Sequence, residues 1–503
     1  PPTPWLRDVT AELAPGIRVR QADVDETAAQ PLLPIRHDRR GPALVAADLD
    51  GDRKDDLLIG GSVLDPAMLV PAGGASVRAI RVPSAGASPT LVNDGPMLVV
   101  RPVEGGPRQW LITRGGVSEP AGTPAYQPTL WQIGAHGAAE DASALLPPLP
   151  LSVGAVVAAD FNRDGTPEIF VGGRVEPGRF PEAPRSVILT WREGRWIDAT
   201  EQWSLGRSDL GMVTAALATD ADGDGWTDLV VTLDWGGVRF LRNRAGQAFE
   251  DQSESIGFAA AGRGAWSALA EGDFNGDGRP DFVVGNLGLN TPYQVGDGRT
   301  AVLLVGEFRP DADPVLIEAE RVGGVLFPRR TAKQLAAVVP SIRRRFPKVN
   351  DFARASVDDL FDPDVIAAAR MWEVTEARSG VLLSSVNGPH RFAPLPTEAQ
   401  LAPVGAVLVD DLDGDGNSDL VLGQNSRAPV PSIGWFEGGL GVVLRGDGRG
   451  GFVAVPSAQS GWVVTGQATA VVAIDLDTDG RKEVVVSRSD APLLVFRRLQ
   501  MPR

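Results

Sequence analysis

The chain has 503 residues, 43% of them hydrophobic, and a formal net charge of −16. That length can bury a large core. The acidity, with no nucleic-acid-binding motif, argues against a DNA or RNA partner, and the absence of cysteine excludes disulfides, thiol catalysis and a zinc ribbon. No apolar run is long enough to span a bilayer as a helix.

In chain order, the sequence opens with Pro1-Pro2-Thr3-Pro4 and no Met, which fits either a mature exported chain after signal removal or a truncated one. The segment from Trp5 to Thr10 resembles later segments read as outer strands, RWIDAT (195–200) and AFEDQS (248–253). From Asp48 onward one acidic phrase, Asp-x-[Asp/Asn]-x-Asp-Gly-x-x-[Asp/Glu], occurs six times, once with Arg53 in place of its glycine. A small-residue run precedes every copy, and a short β-branched run such as LLIGG, IFVGG or LVLGQ follows it, so each copy reads as a turn between two strands.

The spacing is that of a calcium loop. Calcium takes six to eight oxygens in a flexible geometry, and carboxylates at alternate positions of a tight turn converge on one point. A glycine at position 6 permits the backbone reversal. The first loop offers Asp48, Asp50, Asp52 and Asp56, and the second Asp160, Asn162, Asp164 and Glu168. The third offers Asp220, Asp222, Asp224 and Asp228, and the fourth Asp273, Asn275, Asp277 and Asp281. The fifth and sixth offer Asp411, Asp413, Asp415, Asp419 and Asp475, Asp477, Asp479, Glu483. Position 7 would add a backbone carbonyl from Lys54, Thr166, Trp226, Arg279, Asn417 or Arg481. Up to six Ca2+ ions are expected, and they would offset most of the net charge, whose clustering otherwise repels itself. Arg53 predicts a weak first site; four acids and a glycine predict that the loops at 220 and 411 are the tightest.

Strand, loop, strand and then one or two further strands describe a propeller blade. Two more units, 97–116 and 302–319, have the strands without the acidic set. The repeat period favours eight blades, or seven if 302–319 shares a blade with its neighbour. Only 28 residues follow Asp475, too few for a blade, so the N-terminal strand is expected to close the ring. Between Thr331 and Ala377 the pattern changes to two or three helices, with capping boxes at Thr331/Gln334 and Ser356/Asp359. The expected organisation is propeller over 1–330, a helical insertion over 331–377 and propeller again over 378–503.

On these residues the chain resembles the FG-GAP/VCBS repeat proteins, in the branch similar to cartilage acidic protein. The resemblance rests on the acidic loops, on DVTAELAPGI, on PLLPIRHDRRGPALVAADLDGD, on GNLGLNTPY (285–293) and on the helical segment AKQLAAVVPSIRRRFPKVNDFARASVDDLF. The loops themselves are shared with the integrin α head. The resemblance implies an exported, calcium-loaded propeller for adhesion or ligand binding, with no transferable catalytic activity.

Other features weigh less. Arg445-Gly446-Asp447 is an adhesion tripeptide but reads as a hairpin turn. His37, His136 and His390 are too far apart in sequence to suggest a histidine cage. His37 among Arg36, Arg39 and Arg40 reads as a solvated loop, with an anion-holding basic patch as the alternative. Trp226 lies inside an acidic loop, and with Trp235, expected nearby, it is a possible ligand contact. The function expected is a non-catalytic module, periplasmic or extracellular, that binds a protein or a polysaccharide. The alternative is a hydrolase, or an accessory subunit of one, acting through metal-bound water.

Overall fold

The computed structural model describes residues 4–73, 78–79, 92–133, 139–205, 210–309, 313–386 and 388–499, with backbone alone at 78–79. His136 and positions 310–312 of the RPDAD segment lie outside them. Every acidic phrase joins two antiparallel strands. Leu44–Ala47, Val153–Ala159, Met212–Thr219, Ala268–Gly272, Val404–Asp410 and Ala468–Ile474 lead into the loops. Asp56–Ile59, Glu168–Gly173, Asp228–Gly236, Asp281–Gly285, Asp419–Gln424 and Glu483–Arg488 lead out. Third and fourth strands complete each sheet. The segment expected to be degenerate, around 97–116, likewise builds a full four-stranded sheet on Asn93–Val100 and Arg108–Gly115.

The exit strands are buried along nearly their whole length. A strand covered on both faces loses its polar alternation, which is why these runs are continuously apolar. What covers them is the neighbouring sheet on each side. Leu58 packs with Trp110 between the first and second sheets, Leu111 with Ile169 between the second and third, and Phe170 with Leu229 between the third and fourth. Phe240 and Phe282 join the fourth to the fifth, Val283 and Leu420 the fifth to the sixth, and Val421 and Val484 the sixth to the seventh. Val485 then packs with Leu57 of the first sheet, so the series closes on itself. The entry strands neighbour one another in the same cyclic order. Hydroxyls tie them: Ser267 Oγ donates to the Val404 carbonyl (2.7 Å) and Thr469 Oγ1 to that of Pro42 (3.0 Å).

Among the described residues there are eight sheets, seven of four strands and one of five, but the cycle contains seven of them. The remaining sheet, formed by Arg299–Gly306, Val315–Val322, Val325–Pro328 and Arg370–Val374, interrupts the fifth. Around it, Asp281–Gly285 still finds its partner in Gly380–Leu383. The segment at 302–319 therefore neither forms a blade of the cycle nor merges into its neighbour's. Five short helices follow it, where two or three were expected: Ala332–Val338, Ser341–Arg345, Val349–Phe352, Val357–Leu360 and Pro363–Ala368. Pro340, Pro347 and Pro363 divide them, since proline is tolerated only at the first turn of a helix. Both capping boxes form. Leu335, Ile342, Phe352 and Leu360 pack on Val302, Leu304 and Ile317 of the inserted sheet as one core. At the seam, Leu6–Asp8 pairs with Ala491–Arg498 and supplies the seventh sheet's fourth strand.

Candidate metal centre

All six acidic loops lie at one end of the cycle, because each joins the end of an entry strand to the start of an exit strand. Three backbone hydrogen bonds recur in every copy. The N–H at position 6 donates to the position-1 carboxylate: Arg53 to Asp48 (3.1 Å), Gly165 to Asp160 (2.9 Å), Gly225 to Asp220 (2.8 Å), Gly278 to Asp273 (2.9 Å), Gly416 to Asp411 (3.0 Å) and Gly480 to Asp475 (2.9 Å). The N–H at position 7 donates to the position-5 carboxylate, as Trp226 does to Asp224 and Asn417 to Asp415. The N–H at position 2 donates to the position-9 carboxylate, as Phe161 does to Glu168 and Leu412 to Asp419.

Position 6 has a left-handed backbone in all six, between +71° at Arg53 and +90° at Gly416. Arg53 therefore keeps the turn at a steric cost rather than abolishing it. Position 4 is left-handed as well, at Gly51, Arg163, Gly223, Gly276, Gly414 and Thr478. The sequence carried that signal as a glycine at position 4 in four copies, and it went unread.

The position-9 acids are buried: Asp56 is 5% exposed, and Glu168, Asp228, Asp281, Asp419 and Glu483 are all at 0%. Burial pushes the Glu168 and Asp228 carboxyls up to about 7 and Asp419 up to about 6; Asp56, Asp281 and Glu483 are raised for the same reason. A buried carboxylate beside further aspartates is unfavourable as an anion unless a cation compensates it. The same donor set is therefore suited to a hard divalent ion. Oxygens of three acids come within 4.8 Å of one another at Asp48/Asp50/Asp52, Asp220/Asp222/Asp228, Asp411/Asp413/Asp419 and Asp475/Asp477/Glu483. In the sixth loop, Asp475 Oδ1 is buried with no hydrogen-bond partner. The second and fourth loops bring Asp160, Asp164 and Glu168, and Asp273, Asp277 and Asp281, around Asn162 and Asn275. There the amide Nδ2 turns to Glu168 (2.8 Å) and Asp281 (3.3 Å).

A further group escaped sequence reading. The third strand places Arg242, Arg445 and Arg497 against the acids of its own sheet. Arg242 spans Asp222 and Asp224 (2.8 Å each), Arg445 spans Asp413 (2.7 Å) and Asp415 (2.8 Å), and Arg497 spans Asp477 and Glu483. Equivalent strand register explains the recurrence: Leu229 pairs Leu241, Leu420 pairs Leu444 and Glu483 pairs Arg497, so each arginine falls opposite a position-9 acid. The adhesion tripeptide at 445–447 is thereby used internally, with Asp447 accepting from the N–H groups of Arg449 and Gly451.

The two tryptophans are not neighbours. Trp226 precedes Asp228–Gly236 and Trp235 lies near its far end, and Trp235 is 3% exposed, packed edge-on to Tyr293. Trp226 is half-buried, with the Arg163 guanidinium 4.1 Å above its ring. His37 is 2% exposed and Arg36 7%, so the segment read as a solvated loop is a buried one.

Acidic hairpins repeated around a cycle of antiparallel sheets define a repeat protein. Two stretches, 220–284 and 411–486, match the FG-GAP-like repeat, and each spans two successive acidic loops. The chain carries that repeat at both places, while the loops at Asp48 and Asp160 fall outside the matched stretches. No curated protein matches the chain by sequence. Among solved structures, the biofilm matrix protein Bap1 of V. cholerae is similar at a TM-score of 0.37 and 10% identity, over 96% of this chain and 91% of that one. At that distance the function is left to the chain's own residues.

Proposed function

We propose that the chain is an exported seven-bladed β-propeller in which the inserted sheet and helices form an accessory module. In this reading the acidic loops hold calcium, and the protein serves as a non-catalytic adhesion or assembly module for a protein or a polysaccharide. The observation that carries the proposal is the identical hydrogen-bond frame of the six loops, which orients a hard-oxygen donor set at one end of the cycle. Asp, Asn and Glu at positions 1, 3, 5 and 9 would supply the ligands, with the position-7 carbonyls beside them. When bound, calcium would supply charge compensation and cross-linking of each hairpin, because metal and folding are coupled where ligands come from one turn. Millimolar calcium outside cells would keep such modest loops loaded, which supports export. Trp226 remains the proposed contact nearest a loop.

The test has two parts. Chelation should lower the melting temperature sharply, and a shift of a degree or two would remove calcium from the reading. Capture from extracts of the source organism in calcium, read by mass spectrometry beside co-sedimentation with its polysaccharides, should retain a stoichiometric protein or a glycan. Retention of neither would overturn the binding role.

A further inference from the structure

At the end of the entry strands away from the acidic loops, the axis of the cycle opens into a cavity of about 350 Å³, a volume typical of small-molecule sites. Every sheet of the cycle reaches it, through Leu44, Met97, Val153, Thr214, Ser267, Gly405 and Ala468 in turn. Strands rise about 3.3 Å per residue, so the cavity and the acidic loops are separate places on the molecule.

The segment 35–41, buried from Ile35 to Asp38, forms one wall. Arg36 N–H donates to the Ala428 carbonyl (2.8 Å), Asn93 Nδ2 to that of Asp38 (2.7 Å) and Gln467 Nε2 to that of Arg39 (2.9 Å). This anchoring presents Arg40 to the cavity. Arg40 Nη2 lies 3.3 Å from His37 Nδ1 and 3.8 Å from Asp234 Oδ2, while Arg174 holds the same Asp234 oxygen at 2.6 Å. One carboxylate thus serves two guanidiniums. The Arg174 side chain is 4% exposed and committed; that of Arg40 is 37% exposed. Its compensation is partial, since Asp234 is shared with Arg174 and lies closer to it. His37 is held neutral, since burial, Arg40 and Arg174 push it well below its ordinary value. Burial and Asp38 push the Glu26 carboxyl up to about 9, so Glu26 keeps its proton. The two Asp38 oxygens are buried and have no hydrogen-bond partner.

The opposite walls are hydroxylated and apolar. Thr214 donates to the Thr232 carbonyl (3.0 Å), Ser267 to that of Val404 (2.7 Å) and Thr469 to that of Pro42 (3.0 Å). With those protons spent on the backbone, the three oxygens can only accept from a ligand. Trp266, Leu287 and Phe436 add apolar surface. Arg39, Arg40 and Arg174 all line the cavity, and Arg40 is the most exposed of them. With the acceptors of Asp38, Asp94, Asp234 and the three hydroxyls, and the apolar wall, this matches a small carboxylate that carries hydroxyl donors and C–H faces.

We propose that the axial cavity binds a sugar acid, its carboxylate on Arg40 and its hydroxyls donating to Thr214, Ser267 and Thr469. This deepens the binding-module reading by naming a ligand class, at a place independent of the acidic loops. Isothermal titration of the full chain in calcium, with glucuronate as probe and glucose as its neutral counterpart, tests it. Saturable one-to-one binding of glucuronate is expected, with no binding of glucose. Arg40→Gln should weaken binding about tenfold or more, as loss of a charge-assisted contact does. Thr214→Val, whose hydroxyl bonds only within its own sheet, should weaken it several-fold and provides the readout if Arg40→Gln fails to fold. An oligouronide that binds as glucuronate does would make the source a polysaccharide end; binding of the monomer alone would make it a free acid. No glucuronate binding, equal binding of glucose, or full affinity in both variants overturns the proposal. Glucuronate binding without any captured partner would overturn the assembly role and leave the cavity standing.

Discussion

Asp419 tests whether the acidic loops were built around a cation. The residue is fully buried; its two oxygens accept the N–H groups of Leu412 (2.9 Å) and Gly446 (3.0 Å), clamping the loop to the first and third strands of its sheet. Asp419→Ala leaves both N–H groups buried without an acceptor, at about 1–3 kcal/mol each, or roughly 2–6 kcal/mol together. Without metal, an opposing term appears. Burial raises this carboxyl from 3.8 to about 6, and removing the strained anion at neutral pH returns about 3 kcal/mol. The net change in chelator therefore runs from a gain of about 1 to a loss of about 3 kcal/mol. In calcium the anion is already compensated, so that relief vanishes, and the variant also forfeits about 3 kcal/mol of binding linkage at a hundredfold excess over Kd. Denaturant unfolding of both proteins in calcium and in chelator measures the difference. The variant should lose several kcal/mol more in calcium than in chelator. Equal losses in the two conditions would refute the reasoning and leave Asp419 a hairpin clamp with no ion to bind.

Arg445→Gln removes a side chain that competes for Asp413 and Asp415. It should raise the calcium affinity of the fifth loop while lowering stability in chelator, both read by calcium titration of the melting temperature; unchanged affinity would separate the arginine from the metal. Glu26 gives a pH signature. Its carboxyl keeps a proton in the fold up to about 9 that the unfolded chain releases near 4.5, so stability attributable to it is full at acid pH and falls as pH rises across that window. Glu26→Gln should flatten the decline measured by unfolding between neutral pH and pH about 9, and an unchanged slope would count against the proton held on Glu26. Gly405→Ala sets a methyl 2.7 Å from the Ala468 carbonyl of the next sheet. It should cost about 1–3 kcal/mol, as overpacking does, and a neutral result would mean the neighbouring entry strands have room to move apart.

The repeat made most of the architecture legible. Asp48 to Asp475 marked six hairpins, and the apolar runs behind them marked strands covered on both faces. The number of sheets in the cycle was not legible, because 299–374 has strands of ordinary composition and nothing local says whether a sheet joins a ring or interrupts one. That decision is made by long-range pairing of Asp281–Gly285 with Gly380–Leu383. The loop acids were legible because spacing alone sets them on one point. Arg242, Arg445 and Arg497 were not, since each lies more than a dozen residues beyond its loop and is placed by strand register. Trp235 misled for a similar reason. Nine residues of extended chain carry it away from Trp226 to the other end of a strand.

The pairing of Leu6–Asp8 with Ala491–Arg498 has a consequence for biosynthesis. Domains begin to fold from the N-terminus as the chain is made, yet here Leu6–Asp8 has no partner until Ala491–Arg498 has been synthesised. Successive sheets can stack as they emerge, but the assembly remains an open arc with two unsatisfied faces, and its earliest segment waits at one of them. A ribosome stalled anywhere before Ala491 leaves that arc exposed, and loss of Ala491–Arg498 is as damaging to the seam as loss of Leu6–Asp8.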